Sequence, residues 1–169
     1  MKLRKQTLAL SLAVACAWIG GNAHAAGTHT ININATVTGT CKFNTGLSNV
    51  SLTLDPTATT TVNSSPDNVY YRCTNGTVPS FDLTPATTGT GVTPIASLGA
   101  SATGSGAGLL SNGTQTIPYT FSATGGGNGT GMGAGNDLTL AVTVSVDQTN
   151  AANVPAGSYL DTIAVNVNP

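Results

Sequence analysis

Leu138-Thr139-Leu140-Ala141-Val142-Thr143-Val144-Ser145-Val146 alternates without a break between an aliphatic side chain and a small or hydroxylated one. Successive side chains of a strand point to opposite faces, so a stretch with this period has one face for a core and one for water. A helix over the same residues would spread the five large aliphatics around its circumference. A second segment of the same kind closes the sequence, with Ile163, Val165 and Val167 set against Ala164, Asn166 and Asn168.

Outward from these two segments the pattern repeats. Ile117, Tyr119 and Phe121 share one face of a strand, Phe81 and Leu83 mark another that Pro85 stops, and Val69, Tyr71 and Cys73 alternate with Tyr70 and Arg72 before an Asn75-Gly76 turn. Leu47, Val50, Leu52 and Leu54 predict an early strand ended by Pro56. Residues 86–115, rich in Gly, Ser, Thr and Ala, predict short strands and loops around Val92, Ile95, Leu98, Leu109 and Leu110. Residues 125–135 are the lowest-complexity stretch and read as a mobile surface loop. Their G-x-G-x-x-A match, Gly129 to Ala134, has no helix after it and no βαβ context, so it does not bind a dinucleotide. No segment carries helical periodicity over three turns. The fold class is therefore all-β, with a sandwich of about seven strands as its natural architecture.

The beginning of the chain is an export signal: Lys2, Arg4 and Lys5 precede an apolar stretch from Leu8 to Ile19, and Ala23-His24-Ala25 is a small-x-small cleavage site. The expected division is a signal peptide over 1–25, an N-terminal extension over 26–38 and one domain over 39–169. No segment reaches the roughly 20 apolar residues that a spanning helix needs. Directly behind the signal, Thr28-His29-Thr30-Ile31-Asn32-Ile33-Asn34-Ala35-Thr36-Val37-Thr38 alternates again, with Ile31, Ile33, Ala35 and Val37 on one face and only Thr and Asn among the residues between them. It reads as a strand in surplus at one end, whereas no residues follow Pro169 to lie beside the strand at the other. The plainer reading, an ordinary first strand of its own domain, stands beside this one.

Three of the five basic residues leave with the signal, so Lys42 and Arg72 remain against Asp55, Asp67, Asp82, Asp137, Asp147 and Asp161. That balance excludes nucleic acid and anionic membrane surfaces as partners, since both require basic patches. Low surface charge also does little to oppose self-association. Cys41 and Cys73 survive cleavage and are bound for an oxidising compartment, which makes a disulfide their expected state. No metal site is expected, because two cysteines and His29 do not fill a tetrahedral shell. His29 is the one histidine outside the signal and the chain has no Glu, so neither a Ser-His-Asp arrangement nor paired glycosidase carboxylates find support. No cofactor is implied, and the protein is not expected to be an enzyme.

Four motifs, in order, carry a resemblance. Gly157-Ser158-Tyr159-Leu160-Asp161-Thr162-Ile163, running into the last strand, resembles the G-x-Y-x-D-T-hydrophobic ending of the spore coat U domain family, which includes subunits of archaic chaperone-usher pili. Thr38-Gly39-Thr40-Cys41 is similar to the family's early Thr-Gly-x-Cys, Cys73-Thr74-Asn75-Gly76 to its second Cys and turn Gly, and Ile117-Pro118-Tyr119-Thr120-Phe121 to its central aromatic strand. The Gly-rich residues 125–135 depart from the pattern, standing where the family has a shorter segment that often contains Trp.

The resemblance implies an incomplete immunoglobulin-like β-sandwich that lacks its last strand and is completed by a donor strand from a periplasmic chaperone or a neighbouring subunit. Ile31, Ile33, Ala35 and Val37 would be the donor residues, and Ile163, Val165 and Val167 would line the acceptor groove. Gly157, Tyr159, Asp161 and Thr162 are the family motif, with Tyr159 and Asp161 expected to fix the turn before the last strand. The implied function is a structural subunit of a surface pilus for adhesion and biofilm formation. Its implied partners are identical or related pilins, a chaperone and an outer-membrane usher, and its route is through the periplasm to the cell surface. The alternatives are a self-contained secreted sandwich that binds carbohydrate or a surface, with Tyr70, Tyr71 and Tyr119 as a candidate stripe, and a spore coat protein.

Overall fold

The structure, a computed structural model, describes residues 30–44 and 48–169. The chain divides into two units, one ending at Thr36 and one from Val37 to Pro169. In the first, residues 30–36 form no strand and every one of them is exposed. The expected signal peptide, together with Thr28 and His29 of the alternating segment, lies outside the described residues.

The second unit is all-β among its described residues: β1 (Cys41–Phe43), β2 (Thr61–Asn63), β3 (Asp67–Cys73), β4 (Ser80–Pro85), β5 (Ile95–Gly99), β6 (Thr103–Ser111), β7 (Thr116–Thr124), β8 (Leu138–Asp147) and β9 (Ile163–Asn168). One sheet has the order β1-β3-β8-β7-β6, with β2 also pairing β8, and the other has the order β5-β4-β9. Every strand pair is antiparallel. Residues of both sheets share one core, Tyr71, Phe121, Leu140 and Val146 from the first and Phe81, Leu83, Ile95 and Leu98 from the second. The rings of Tyr71 and Phe81 meet edge to face across it at 4.9 Å, a favoured aromatic geometry. This is a sandwich of the immunoglobulin-like kind.

The alternation of the sequence becomes burial here. Leu140, Val142, Val144 and Val146 of β8 are buried while the residues between them are partly exposed, and Ile117, Tyr119, Phe121 and Ala123 of β7 behave alike. Three expectations of local structure change. Residues 48–54 form no strand, although Leu52 and Leu54 pack against the core and their neighbours are exposed. Alternation there records which way side chains face, not a ladder. Leu47 lies outside the described residues.

Residues 103–111 hold a nine-residue strand where short pieces were expected. Its inward positions include Gly106 and Gly108, and the rings of Phe121 and Tyr119 lie so close that a Cβ would fall 2.4 Å from each. Glycine removes the hydrophobic mark from β6 because the core volume on that side is supplied by β7. The Gly-rich residues 125–135 are likewise not free. The N–H groups of Gly125, Gly127, Gly129 and Gly131 donate to Ala102, Ala100, Thr77 and Cys73 carbonyls at 2.7 to 3.0 Å, and the Tyr71 hydroxyl donates to the Gly127 carbonyl at 2.9 Å.

Candidate functional site

A sheet offers chemistry of its own at its edges, where backbone N–H and C=O groups point outward unpaired. Proteins blunt such edges with short strands, charges, prolines, bulges or covering segments. Three of the sandwich's four edges carry such a device among the described residues. On the β1 side of the larger sheet the edge strands, β1 and β2, are three residues each, and a disulfide joins Cys41 to Cys73, its direct partner on β3. On the other side β6 is capped at two points. Thr93 and Ala107 exchange a pair of hydrogen bonds at 2.9 Å, and Ser111 and Leu160 exchange another pair at 2.9 Å. In the smaller sheet β5 is irregular against β4, with the register shifting between Phe81 and Leu83.

The fourth edge is β9, and it carries none of these. Its six residues pair with β4 in unbroken register from Ser80↔Asn168 to Pro85↔Ile163. No strand of the described residues lies on its other side, and Ile163-Ala164-Val165-Asn166-Val167-Asn168 contains neither charge nor proline. Ile163, Val165 and Val167 face the core but are only half-buried. β1, with half-buried Cys41 and Phe43, approaches β9 from the other sheet. The edge thus combines a regular row of backbone groups with a line of incompletely covered aliphatics.

Two carboxylates hold β9 at its ends. Asp161, two residues ahead of it, accepts from the Tyr119 hydroxyl at 2.7 Å through Oδ2 and from the Thr87 N–H at 2.8 Å through Oδ1. Burial first, and then the Asp161 carboxylate, push the Tyr119 hydroxyl well above the ordinary phenol range. Asp82 on β4 accepts from the side-chain amide of Asn168 at 2.8 Å. Nearby, the Tyr159 hydroxyl donates to the Pro155 carbonyl at 2.8 Å, the Thr162 carbonyl accepts from the Ala86 N–H at 2.7 Å, and a Cβ on Gly157 would meet nothing within 4 Å. Nothing in the structure explains the glycine at that position.

Ile31, Ile33 and Val37 are 75%, 88% and 82% exposed, and Ala35 is exposed as well. Tyr71 and Tyr119 are core residues, while Tyr70 faces outward from β3, so the three do not form one stripe. Two shallow depressions of about 230 Å³ hold one carboxylate each, Asp147 beside Thr61, Leu109 and Tyr119, and Asp67 beside Asn49, Ser51 and Ser64. Among the described residues, no three metal-ligating side chains come together, and no helix is long and apolar enough to cross a membrane. Sequence reasoning missed Asp82 and its partner Ser97. Asp82 is a lone charge between core residues Phe81 and Leu83 and could have been singled out, whereas nothing in the sequence marks Ser97.

The model of the Spore Coat Protein U domain matches residues 27–166, which takes in β1 to β8, the first four residues of β9 and the exposed segment ahead of them. The chain belongs to that family. Membership is consistent with a surface protein of the pilus or spore coat kind, and the spore coat U domain is a structural domain, not an enzyme fold. No match was found among curated proteins or among solved structures.

Proposed function

We propose that this spore coat U domain protein is a structural subunit of a chaperone-usher pilus, polymerising by donation of the segment around Ile31, Ile33, Ala35 and Val37 to the β9 edge of the next copy. What carries the reading is the asymmetry of the edges: three are blunted and β9 is open, regular and flanked by half-buried aliphatics. The donor is supported by its composition, since a segment of alternating apolar and polar residues left wholly exposed has apolar side chains without a core of their own.

Burying two Ile and one Val side chain contributes roughly 5 to 9 kcal/mol, at about 1.5 to 3 kcal/mol each, before any backbone ladder forms. Strand addition takes affinity from main-chain bonds and specificity from alternate side chains, which suits a donor with this period. Because donor and acceptor are different surfaces, the contact is head-to-tail, does not close on itself and generates an open filament. During export the same edge would be occupied by a strand of a periplasmic chaperone and passed on at an outer-membrane usher.

The test is unheated SDS gel electrophoresis of the mature protein beside an Ile33→Asp variant. Wild type should give a ladder of SDS-resistant oligomers that collapses on boiling, and the variant should lose it. Stable monomers in both would move the weight to a self-contained surface-binding sandwich.

A further inference from the structure

The two edges of the smaller sheet differ, β9 pairing with β4 in regular register and β5 with a shift. Between the pairs Leu83↔Ile95 and Phe81↔Leu98, β4 has one residue, Asp82, while β5 has two, Ala96 and Ser97. The extra residue is a β-bulge. Ser97 is the one non-glycine among the described residues with a left-handed φ, +53°, a conformation that side chains other than Asn and Asp rarely adopt. Its N–H donates to Asp82 Oδ1 at 2.8 Å. The other carboxylate oxygen accepts from the Asn168 side-chain amide at 2.8 Å, so Asp82 has a contact toward each edge strand. The Ser97 N–H first, and the Asn168 amide second, keep this carboxyl below the usual range and therefore ionised near neutral pH.

We infer that Asp82 confines strand addition to β9 by holding β5 in a bulged form that an incoming strand cannot pair with. An added strand needs N–H and C=O groups in register along the edge. At Ser97 the donor is consumed by Asp82 and the chain is bent by the extra residue, so the ladder breaks in the middle of a five-residue strand. Without the carboxylate, Ser97 loses the contact that compensates its left-handed backbone. β5 then relaxes toward a regular strand, and the sheet acquires a second open edge. For a head-to-tail polymer this would mean branching or lateral pairing. The inference rests on the proposed strand addition for its biological meaning, and the following experiment separates the two.

The full mature chain carrying Ile33→Asp, which cannot donate its own segment, is mixed with a synthetic peptide of residues 28–38 and weighed by native mass spectrometry. The number of peptides bound in this background reports on the proposed function alone: one supports it and none sinks it. Adding Asp82→Ala should raise the count of added strands by one, seen as a second peptide or as a chain dimer paired through β5. The same background count in Asp82→Ala overturns the inference whatever that count is. Asn168→Ala, which removes only the β9 contact of Asp82, should leave the count unchanged. An increase in that variant also overturns the inference, because the bulge would not be the cause. Should Asp82→Ala fail to fold, Ser97→Val replaces it. A β-branched side chain disfavours the left-handed bulge with Asp82 still in place, and the same gain of one strand is expected.

Discussion

The hydroxyl of Tyr119 donates to Asp161 Oδ2 at 2.7 Å, and through this bond the middle of β7 in one sheet is joined to the residue two positions ahead of β9 in the other. The same carboxylate takes the Thr87 N–H from the β4–β5 connection. One side chain therefore fixes where the proposed acceptor strand begins.

Tyr119→Phe removes one hydrogen bond to a charged acceptor and leaves the ring in the core, which should destabilise by about 1.5 to 3 kcal/mol. Asp161→Ala removes both bonds and strands the Thr87 N–H, so its cost should be the larger. Urea unfolding midpoints of the two variants, in the chain bearing Ile33→Asp to suppress polymers, check the order.

The Cys41–Cys73 bridge closes a separation of 32 residues, and on the chain-entropy model a loop of that length is worth about 3 to 4 kcal/mol. It pins β1, a three-residue edge strand, to the end of β3. The double variant Cys41→Ala, Cys73→Ala should lose about that amount in denaturant unfolding, and its β1 amides should exchange fastest among the strands. An unchanged unfolding midpoint would assign the stability of this edge to packing alone.

Acid should act through the surface carboxylates. Hydrogen bonds from Arg72, above all, hold Asp137 below the ordinary carboxylate range, and Asp82 is lowered by its bonds to Ser97 and Asn168. A lowered native pKa means the folded state binds fewer protons than the unfolded one, so the stabilisation is complete above the ordinary value and fades as pH falls through about 4 toward the native pKa. Thermal midpoints should be flat between pH 5 and 7 and decline below pH 4, as the carboxylate range requires. Asp137→Asn should lessen that decline.

Much of this was open to a reader of the sequence, and each exception has its own cause. β7, β8 and β9 announce themselves because each builds its inward face from its own large side chains. β6 does not, because Gly106 and Gly108 give their space to Phe121 and Tyr119, and periodicity registers only what a segment itself carries. β5 hides for a different reason. Its bulge puts Ile95 and Leu98, three apart, on the same buried face, which breaks the two-residue period that marks a strand. The open β9 edge could be suspected from a surplus strand at one end of the chain, but its contrast with three blunted edges depends on long-range pairing. Thr93 with Ala107 and Leu160 with Ser111 have no local signature.

Gly106→Ala tests the borrowed core directly. Its Cβ would lie 2.4 Å from Phe121 Cζ and 2.6 Å from the Thr93 carbonyl oxygen, and the second of these is backbone that cannot turn aside. Overpacking of this kind costs typically about 1 to 3 kcal/mol. It should also part Thr93 from Ala107, so deprotection of those two amides in hydrogen exchange distinguishes a local opening of the β6 edge from general destabilisation.

Residues 125–131 offer the last contrast, between composition and structure. Alternate amides, those of Gly125, Gly127, Gly129 and Gly131, donate to carbonyls of the β5–β6 turn, the β3–β4 connection and the end of β3. Those of Asn128 and Thr130 make no backbone hydrogen bond among the described residues, whereas that of Gly126 meets the Tyr71 hydroxyl. Room is short as well: a Cβ on Gly126 would lie 2.3 Å from the Thr139 carbonyl oxygen and one on Gly129 would lie 2.3 Å from that of Thr74. Glycine is thus required at Gly126 and Gly129 for close approach of backbone to backbone, and at Gly127 and Gly131 for their left-handed φ of +112° and +126°. Hydrogen exchange followed by NMR should show alternating protection along 127–131, slow at the odd-numbered residues and fast at Asn128 and Thr130. Gly129→Ala should erase that alternation at Gly127 and Gly131 and free the Tyr71 hydroxyl from the Gly127 carbonyl. Uniformly fast exchange in the wild type would return the segment to the mobile loop that its composition suggests.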